Sequence, residues 1–127
     1  MEDIVVLDTV MLFDFLADRG DAQRTEEIVT RGKGAVSAIT VYELFRGVAS
    51  KKHIEQRGTL LSSMHVLEIS SKIARQAGII FTALRGKGIT VSNEDILIAA
   101  TCIHHNLALF TANRNHFEII QGLRLYS

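Results

Sequence analysis

The chain has 127 residues, of which 47% are hydrophobic, and this length and composition predict one compact domain over residues 1–127 with a continuous core. Its 14 Lys and Arg residues balance its 14 Asp and Glu residues, which excludes a general positive field as the means of attracting nucleic acid. A polyanionic partner would have to be held by local basic groups or by a metal ion.

The sequence carries no sign of export or of a membrane span. Its first residues, MEDIVVLDT, place two acids before a short apolar run, whereas a signal peptide has a basic start and a longer hydrophobic region. No apolar stretch approaches the roughly 20 residues that cross a bilayer. The single cysteine, Cys102, cannot form an internal disulfide and is expected to be a small buried hydrophobe. We therefore expect a cytoplasmic protein.

Short apolar runs predict buried strands, and longer segments with helical spacing lie between them. The predicted strands are IVVL at 4–7, AVSAI at 35–39, HVLEI at 65–69 and LALF at 107–110, with LRLYS at 123–127 as a candidate edge strand. Helices are predicted over 10–20, 71–88 and 94–106. The first of these helices would bury one broad face, formed by Val10, Leu12, Phe13 and Leu16. The motif RGKG, at 31–34 and 85–88, lacks the spacing of a phosphate loop and is interpreted as a helix stop.

The alternation of strands and helices predicts an α/β fold in three layers, α/β/α. Its centre would be a mostly parallel sheet of four to five strands, covered by helices on both faces. In such sheets the ligand site lies at the carboxyl ends of the strands.

The stretch SNEDILIAA, at 92–100, sets two adjacent acids directly before a run as apolar as a buried helix. Ser92 and Asp95 approximate a capping box, and acids in a first turn favour the positive end of the helix dipole. Thr40-Val-Tyr-Glu43 is the better capping box of the two. Taken singly, these acids are therefore interpreted as helix caps.

Three acids remote in sequence are expected at one edge of the sheet, which favours a metal site over separate caps. Asp8 ends the first strand, Glu43 opens the helix after AVSAI, and Asp95 opens the helix after the extended stretch ITVS. Their mutual repulsion would raise the pKa of at least one of them unless a cation lay between them. Carboxylate oxygens without Cys or His at ligand spacing indicate Mg²⁺ or Mn²⁺ rather than zinc.

The chain resembles the PIN-domain ribonucleases, and in particular the toxin members of VapC-type toxin–antitoxin pairs. The resemblance spans nearly the whole chain and rests on VVLDT, SAITVYELFRGV, EDILIAATCIHHNLALFTANRNHF and GLRLY in this order. It implies that Asp8, Glu43 and Asp95 are the catalytic metal ligands, that Thr9 and Thr111 line the pocket, and that Asn113 is the family's Asn after the fourth strand. It also implies an RNA substrate, a homodimer and a small cognate antitoxin.

The chain departs from the family pattern at two positions. Val10 stands where many members have Ser, and His116 stands where many have a fourth acid, so Glu94 is a candidate for a supporting carboxylate. Two basic residues near the predicted site, Arg46 and Arg114, are candidates for contact with phosphate.

Together these observations favour metal-dependent hydrolysis of RNA by a water molecule activated on Mg²⁺ or Mn²⁺. One alternative is a PIN-like module that binds RNA or antitoxin and has lost catalysis. A phosphoacceptor signalling domain is disfavoured, because Asp8 has no acidic neighbour and LRLYS contains no Lys. The stretch 41–61 is expected to contribute to a two-fold symmetric interface.

Overall fold

The computed structural model describes residues 3–127, so residues 1 and 2 of the predicted domain lie outside the described residues. Its sheet contains four parallel strands, β1 (Val5–Leu7), β2 (Gly34–Ser37), β3 (His65–Leu67) and β4 (Ala108–Phe110), in the spatial order β3-β2-β1-β4. Strands β2 and β3 lie on one side of β1, and β4 lies on the other side. A crevice is expected at such a reversal, at the carboxyl ends of β1 and β4.

Seven helices are present in the described part of the chain. They are α1 (Thr9–Leu16), α2 (Ala22–Thr30), α3 (Ala38–Phe45), α4 (Lys51–Ser62), α5 (Ser71–Gly86), α6 (Asn93–His105) and α7 (Arg114–Phe117). None of the helices between residues 3 and 127 has the length and apolar character needed to cross a membrane.

The core consists of two apolar clusters, one on each face of the sheet. Side chains alternate along each strand, so Val6 of β1 packs with α5, α6 and α7 while its neighbours Val5 and Leu7 pack with α1 to α4. Ala35 and Val36 of β2 divide between the two clusters in the same way. The predicted three-layer α/β/α fold is therefore confirmed.

The predicted helices over 71–88 and 94–106 are confirmed as α5 and α6. The interpretation of RGKG as a helix stop also holds. Gly32 and Gly88 follow α2 and α5 with φ of +70° and +72°, a left-handed conformation that glycine adopts without steric cost.

The first helix is placed differently from the prediction. It begins at Thr9 and ends at Leu16, and its buried side chains are those of Thr9, Met11 and Leu12. Val10 is 53% exposed, so its predicted place in the core was wrong. The buried face therefore includes Thr9, whose hydroxyl donates to Glu43 and lies 2.9 Å from the Thr40 hydroxyl.

Three further segments differ from the prediction. AVSAI is not one strand, because β2 ends at Ser37 and α3 begins at Ala38, which places Glu43 inside the helix rather than at its start. LRLYS forms a single parallel bridge, Leu125 to Leu109, and adds no full fifth strand. ITVS is likewise not one of the four strands of the sheet.

Candidate active site

Asp8 lies where β1 and β4 end side by side. It follows Leu7 of β1 directly and is only 4% exposed. The Thr111 hydroxyl, one residue beyond β4, donates to Asp8 Oδ2 at 2.8 Å, and the Asp8 backbone N–H donates to the Phe110 carbonyl at 3.0 Å. The Asn113 N–H donates in turn to the Thr111 hydroxyl at 3.0 Å. The Asp8 carboxylate is therefore fixed at the crevice that the strand order creates.

The pKa of Asp8 is raised from 3.8 to about 6. Burial is the largest cause, and the charges of Asp95 and Glu43 raise the pKa further, while hydrogen bonds from Thr111 and from the Thr9 backbone lower it. The direction of this shift is the one expected for neighbouring acids, but loss of hydration contributes more to it than repulsion does. A carboxylate held in this way is stabilised by any cation that approaches it.

Glu43 reaches the same region from within α3. Its Oε1 accepts a hydrogen bond of 2.7 Å from the Thr9 hydroxyl, which lies 2.9 Å from the fully buried Thr40 hydroxyl. The predicted capping box of Thr40 and Glu43 was wrong, because Ser37 caps α3 by accepting from the Ile39 N–H. Thr40 and Glu43 are instead linked through Thr9.

Asp95 lies in the first turn of α6, and the side chain of Ser92 caps that helix by accepting from the Asp95 N–H at 3.2 Å. The Asp95 carboxylate points elsewhere, with Oδ2 2.9 Å from His116 Nε2. Because α6 leads back into β4, its first turn lies at the carboxyl edge of the sheet even though no strand precedes it. Ser92 thus caps the backbone of α6, and the Asp95 carboxylate is not needed as a cap.

These acids line one cavity of about 390 Å³. The sequence-predicted residues among its lining are Asp8, Thr9, Glu43, Asp95 and Asn113. Val10 and Phe13, which sequence reasoning assigned to the core, form apolar walls one turn apart on α1. Val10 and Phe13 are three residues apart in a helix that begins at Thr9, and this spacing places both on the same side of α1. The sequence assigns Thr40 only a capping role through its spacing from Glu43, and it does not indicate the contact of Thr40 with Thr9 in the site.

Five predicted residues are not among those that line the cavity, although two of them, Thr111 and His116, contact carboxylates that do. Glu94 is absent from its wall, and the Arg114 guanidinium donates to the Tyr126 carbonyl at 3.0 Å. The Arg46 guanidinium lies over the Tyr42 ring, 5.4 Å from its centre. The site is therefore acidic and apolar, with its candidate phosphate contacts set outside it.

The donor set fits a hard divalent cation in its chemistry. One oxygen of each of Asp8, Glu43 and Asp95 contacts a neighbouring side chain, and carboxylates have further lone pairs with which to bind a cation. Within residues 3–127, however, no three His, Cys, Asp or Glu side chains are arranged as a ready-made metal site. Residues that would hold a cation are thus present, and they are oriented by hydrogen bonds within the protein.

The profile of the PIN domain family matches residues 5–122. The chain belongs to the PIN-domain family. This PIN domain is 30% identical over 127 aligned residues to ribonuclease VapC1 of Methanocaldococcus jannaschii, with 98% of this chain and 88% of that protein covered. It is 35% identical over 95 residues to ribonuclease VapC2 of Rickettsia felis, covering 72% of this chain and 71% of that one. The family resemblance drawn from the sequence is confirmed, and the phosphoacceptor signalling domain is removed as an alternative.

The fold matches a solved toxin–antitoxin complex. The structure of VapBC2 from Rickettsia felis, bound to a DNA fragment from its promoter, contains a chain that superposes with a TM-score of 0.80 at 31% identity. The match covers 97% of both chains. The similarity therefore extends over nearly the whole of this PIN domain.

Proposed function

We propose that this PIN domain is an endoribonuclease that hydrolyses RNA phosphodiester bonds with Mg²⁺ or Mn²⁺ and serves as the toxin of a toxin–antitoxin pair. The observation that carries the proposal is the convergence of Asp8, Glu43 and Asp95 on one cavity at the end of β1 and β4. The ribonuclease relatives support the same activity.

Each carboxylate would act from a position fixed by a neighbouring side chain. Thr111 holds Asp8, Thr9 holds Glu43, and His116 holds Asp95. Fixing these groups in advance lowers the reorganisation needed when charge develops on the reacting phosphate. Asp8, Glu43 and Asp95 are therefore assigned as metal-holding residues, and the three partners as the groups that orient them.

A divalent cation bound here would lower the pKa of a water molecule and neutralise charge on the phosphate under attack. Asp8, Glu43 and Asp95 would hold that cation through their carboxylate oxygens. Val10 and Phe13 would exclude bulk water from one side and strengthen electrostatic interactions within the site. This scheme requires no protein nucleophile. The buried thiol of Cys102 is unsuited to that role, because burial, and secondarily the charge of Asp8, raises its pKa to about 12.

One observation favours the alternative of a PIN domain with weak or lost catalysis. His116 Nε2 is hydrogen-bonded to Asp95 Oδ2. If an acid stood at position 116 instead, this oxygen of Asp95 would be free to bind a cation. A neutral imidazole is a poor Mg²⁺ ligand and serves Mn²⁺ better. The alternative therefore predicts RNA binding without cleavage in Mg²⁺.

RNA cleavage measured in Mg²⁺, in Mn²⁺ and in EDTA separates the two. The proposed function predicts cleavage in at least one metal, its loss in EDTA, and its loss in Asp95→Asn with either metal. Cleavage that persists in EDTA would overturn the metal-dependent scheme. Binding of RNA without cleavage in any condition would favour the alternative.

The partners follow from the same proposal. The relatives' complexes support a small antitoxin that binds this chain. We further propose a homodimer that acts in the cytoplasm, where RNA is available and the single, buried cysteine stays reduced.

A further inference from the structure

A second and larger cavity, of about 820 Å³, lies at the opposite edge of the sheet from Asp8. It opens where β1 and β4 begin, beside the ends of α2 and α6. Since β1 has three residues, about 10 Å of strand separates the two edges. This cavity is hereafter called the basal cavity.

The basal cavity gathers positive charge in a chain whose net charge is zero. Four cationic side chains from three separate segments line it, against two carboxylates, Asp3 and Glu27. The cations are those of Arg24, Arg31, Lys33 and Arg124. Lys33 lies 3.5 Å from Asp3, whereas within residues 3–127 Arg31 forms no ion pair. Among the lining residues that the structure describes, the four Lys and Arg side chains therefore outnumber the two carboxylates.

The floor of the basal cavity is apolar and partly aromatic. Ile4, Val5 and Leu107 contribute to it, together with Tyr126. The Arg24 guanidinium lies 4.7 Å from the centre of the Phe110 ring and donates to the Ser127 carbonyl at 2.6 Å, so it is held in place. Fixed cations beside an apolar and aromatic floor suit a chain of alternating phosphates and flat bases.

The catalytic cavity lacks this kind of charge. Its lining residues in the described chain include three carboxylates and no Lys or Arg. An RNA substrate carries a phosphate at every nucleotide, and these phosphates are repelled by uncompensated carboxylates. Cations that hold the substrate must therefore lie elsewhere on the surface, and the basal cavity offers a group of them.

We propose that the basal cavity is an accessory binding site for the phosphodiester backbone of the RNA substrate, engaged by nucleotides remote from the bond that is cut. The inference rests on the proposed ribonuclease function. Arg31 and Lys33 contact phosphate, while Arg24 and Arg124 shape the wall through their bonds to the backbone. The site favours long or folded RNA over short fragments, because only a long RNA reaches both edges of the sheet.

A structural explanation of the same cations exists and has to be tested against the proposal. Arg31 follows α2, and the negative end of that helix dipole favours a cation whether or not RNA binds. A cation with this role alone contributes to folding stability and leaves RNA affinity unchanged. Folding stability and RNA affinity therefore both have to be measured.

The test compares Arg31→Gln/Lys33→Gln with a matched control, Lys72→Gln/Arg75→Gln, which removes two exposed cations from α5. Affinity for a folded transfer RNA transcript and for a tetranucleotide is measured by fluorescence anisotropy in EDTA, over a range of salt. Thermal unfolding is followed for each protein, and the single variant Arg31→Gln is included because Lys33 is partly buried.

We expect the Arg31 and Lys33 variant to bind the transcript roughly fivefold more weakly than the control, with a salt slope lower by roughly 0.7 for each lost phosphate contact. Tetranucleotide binding should be weaker than transcript binding and should also fall in the Arg31 and Lys33 variant, because without metal the basal cavity is the cationic surface open to a short RNA. Equal affinities of variant and control for the transcript would overturn the proposal. Because affinity is read without metal, failure of the wild type to cleave RNA would count against the proposed function and leave this result interpretable.

Discussion

His116 Nε2 lies 2.9 Å from Oδ2 of Asp95, although 21 residues separate the two in sequence. A carboxylate accepts hydrogen bonds, so Nε2 carries the proton of the ring. The same ring packs edge-to-face on Phe117, with 5.3 Å between the ring centres. His116 therefore both supports the short helix α7 and faces the acid that opens α6.

Replacing His116 tests whether it stands at the position of a fourth acid. His116→Ala should lose the contact that orients Asp95 but still retain most cleavage at neutral pH, because the imidazole is itself a poor ligand for Mg²⁺ and Asp95 keeps its place in the first turn of α6. His116→Asp should bind Mg²⁺ more tightly, because it adds a hard anionic oxygen beside Asp95. Calorimetric titration of Mg²⁺ into wild type and both variants measures this. If the Asp variant binds no more tightly than wild type, His116 does not face the metal.

Asp8→Asn should stabilise the metal-free protein at neutral pH. The pKa of Asp8 is raised to about 6 in the fold, so the folded state takes up a proton more readily than the unfolded chain. Stability of the wild type should therefore increase as pH falls from about 7 to about 4, by up to about 3 kcal/mol from this group. The Asn variant should lack that increase, whereas Glu68→Gln, at an exposed carboxyl, should keep it. Denaturant unfolding across this pH range measures the difference.

The sequence predicted the edge of the sheet at which Asp8 and Asp95 lie, because the fold class alone determines it. Asp8 ends a strand of a parallel sheet, and Asp95 opens a helix that must return to the other edge before β4. The place of Asp95 was therefore correct even though ITVS, which precedes it, forms no strand.

The partners of these acids were not predictable in the same way. Strands of three or four residues carry too little periodicity to set exact boundaries, so the start of α3 and the position of Glu43 within it were misplaced. The bonds of Thr9 to Glu43 and of His116 to Asp95 join different elements, and no local spacing encodes them. These contacts depend on how the helices pack on the sheet.

Substitutions of Asp95 and Ser92 distinguish a catalytic role from a capping role at the start of α6. Asp95→Asn should abolish cleavage and leave the metal-free protein at least as stable, because the cap is the Ser92 side chain. Ser92→Ala should cost about 1 kcal/mol of stability and retain cleavage. Melting temperatures and RNA cleavage rates of the two variants provide the comparison. A destabilised Asp95→Asn protein with intact cleavage would show that Asp95 is only structural.

Thr40 should act on the reaction through Thr9 and Glu43. Its hydroxyl is fully buried 2.9 Å from that of Thr9, which donates to Glu43. Thr40→Val keeps the shape of the side chain and removes this partner, so we expect a lower kcat with little change in KM and a stability loss of about 1 kcal/mol. Thr40→Ser should restore kcat. Equal kcat values in wild type and Thr40→Val would show that the buried hydroxyl does not position Glu43.

Association of two copies should depend on the surface formed by α3 and α4. Within the stretch 41–61, Tyr42 is 54% exposed and Ile54 is 41% exposed, and apolar side chains at such positions favour contact with another chain. In a two-fold interface each substitution acts twice, because the same surface contributes from both copies. We therefore expect Ile54→Glu to produce a monomer at micromolar concentration. Ile79→Glu on α5 is the matched control, because Ile79 is also an exposed apolar residue, at 65%, but lies outside the stretch 41–61 that is expected to form the interface, so this variant should leave the dimer intact. Light scattering at micromolar concentration measures both, and a wild-type protein that is already monomeric would contradict the predicted interface.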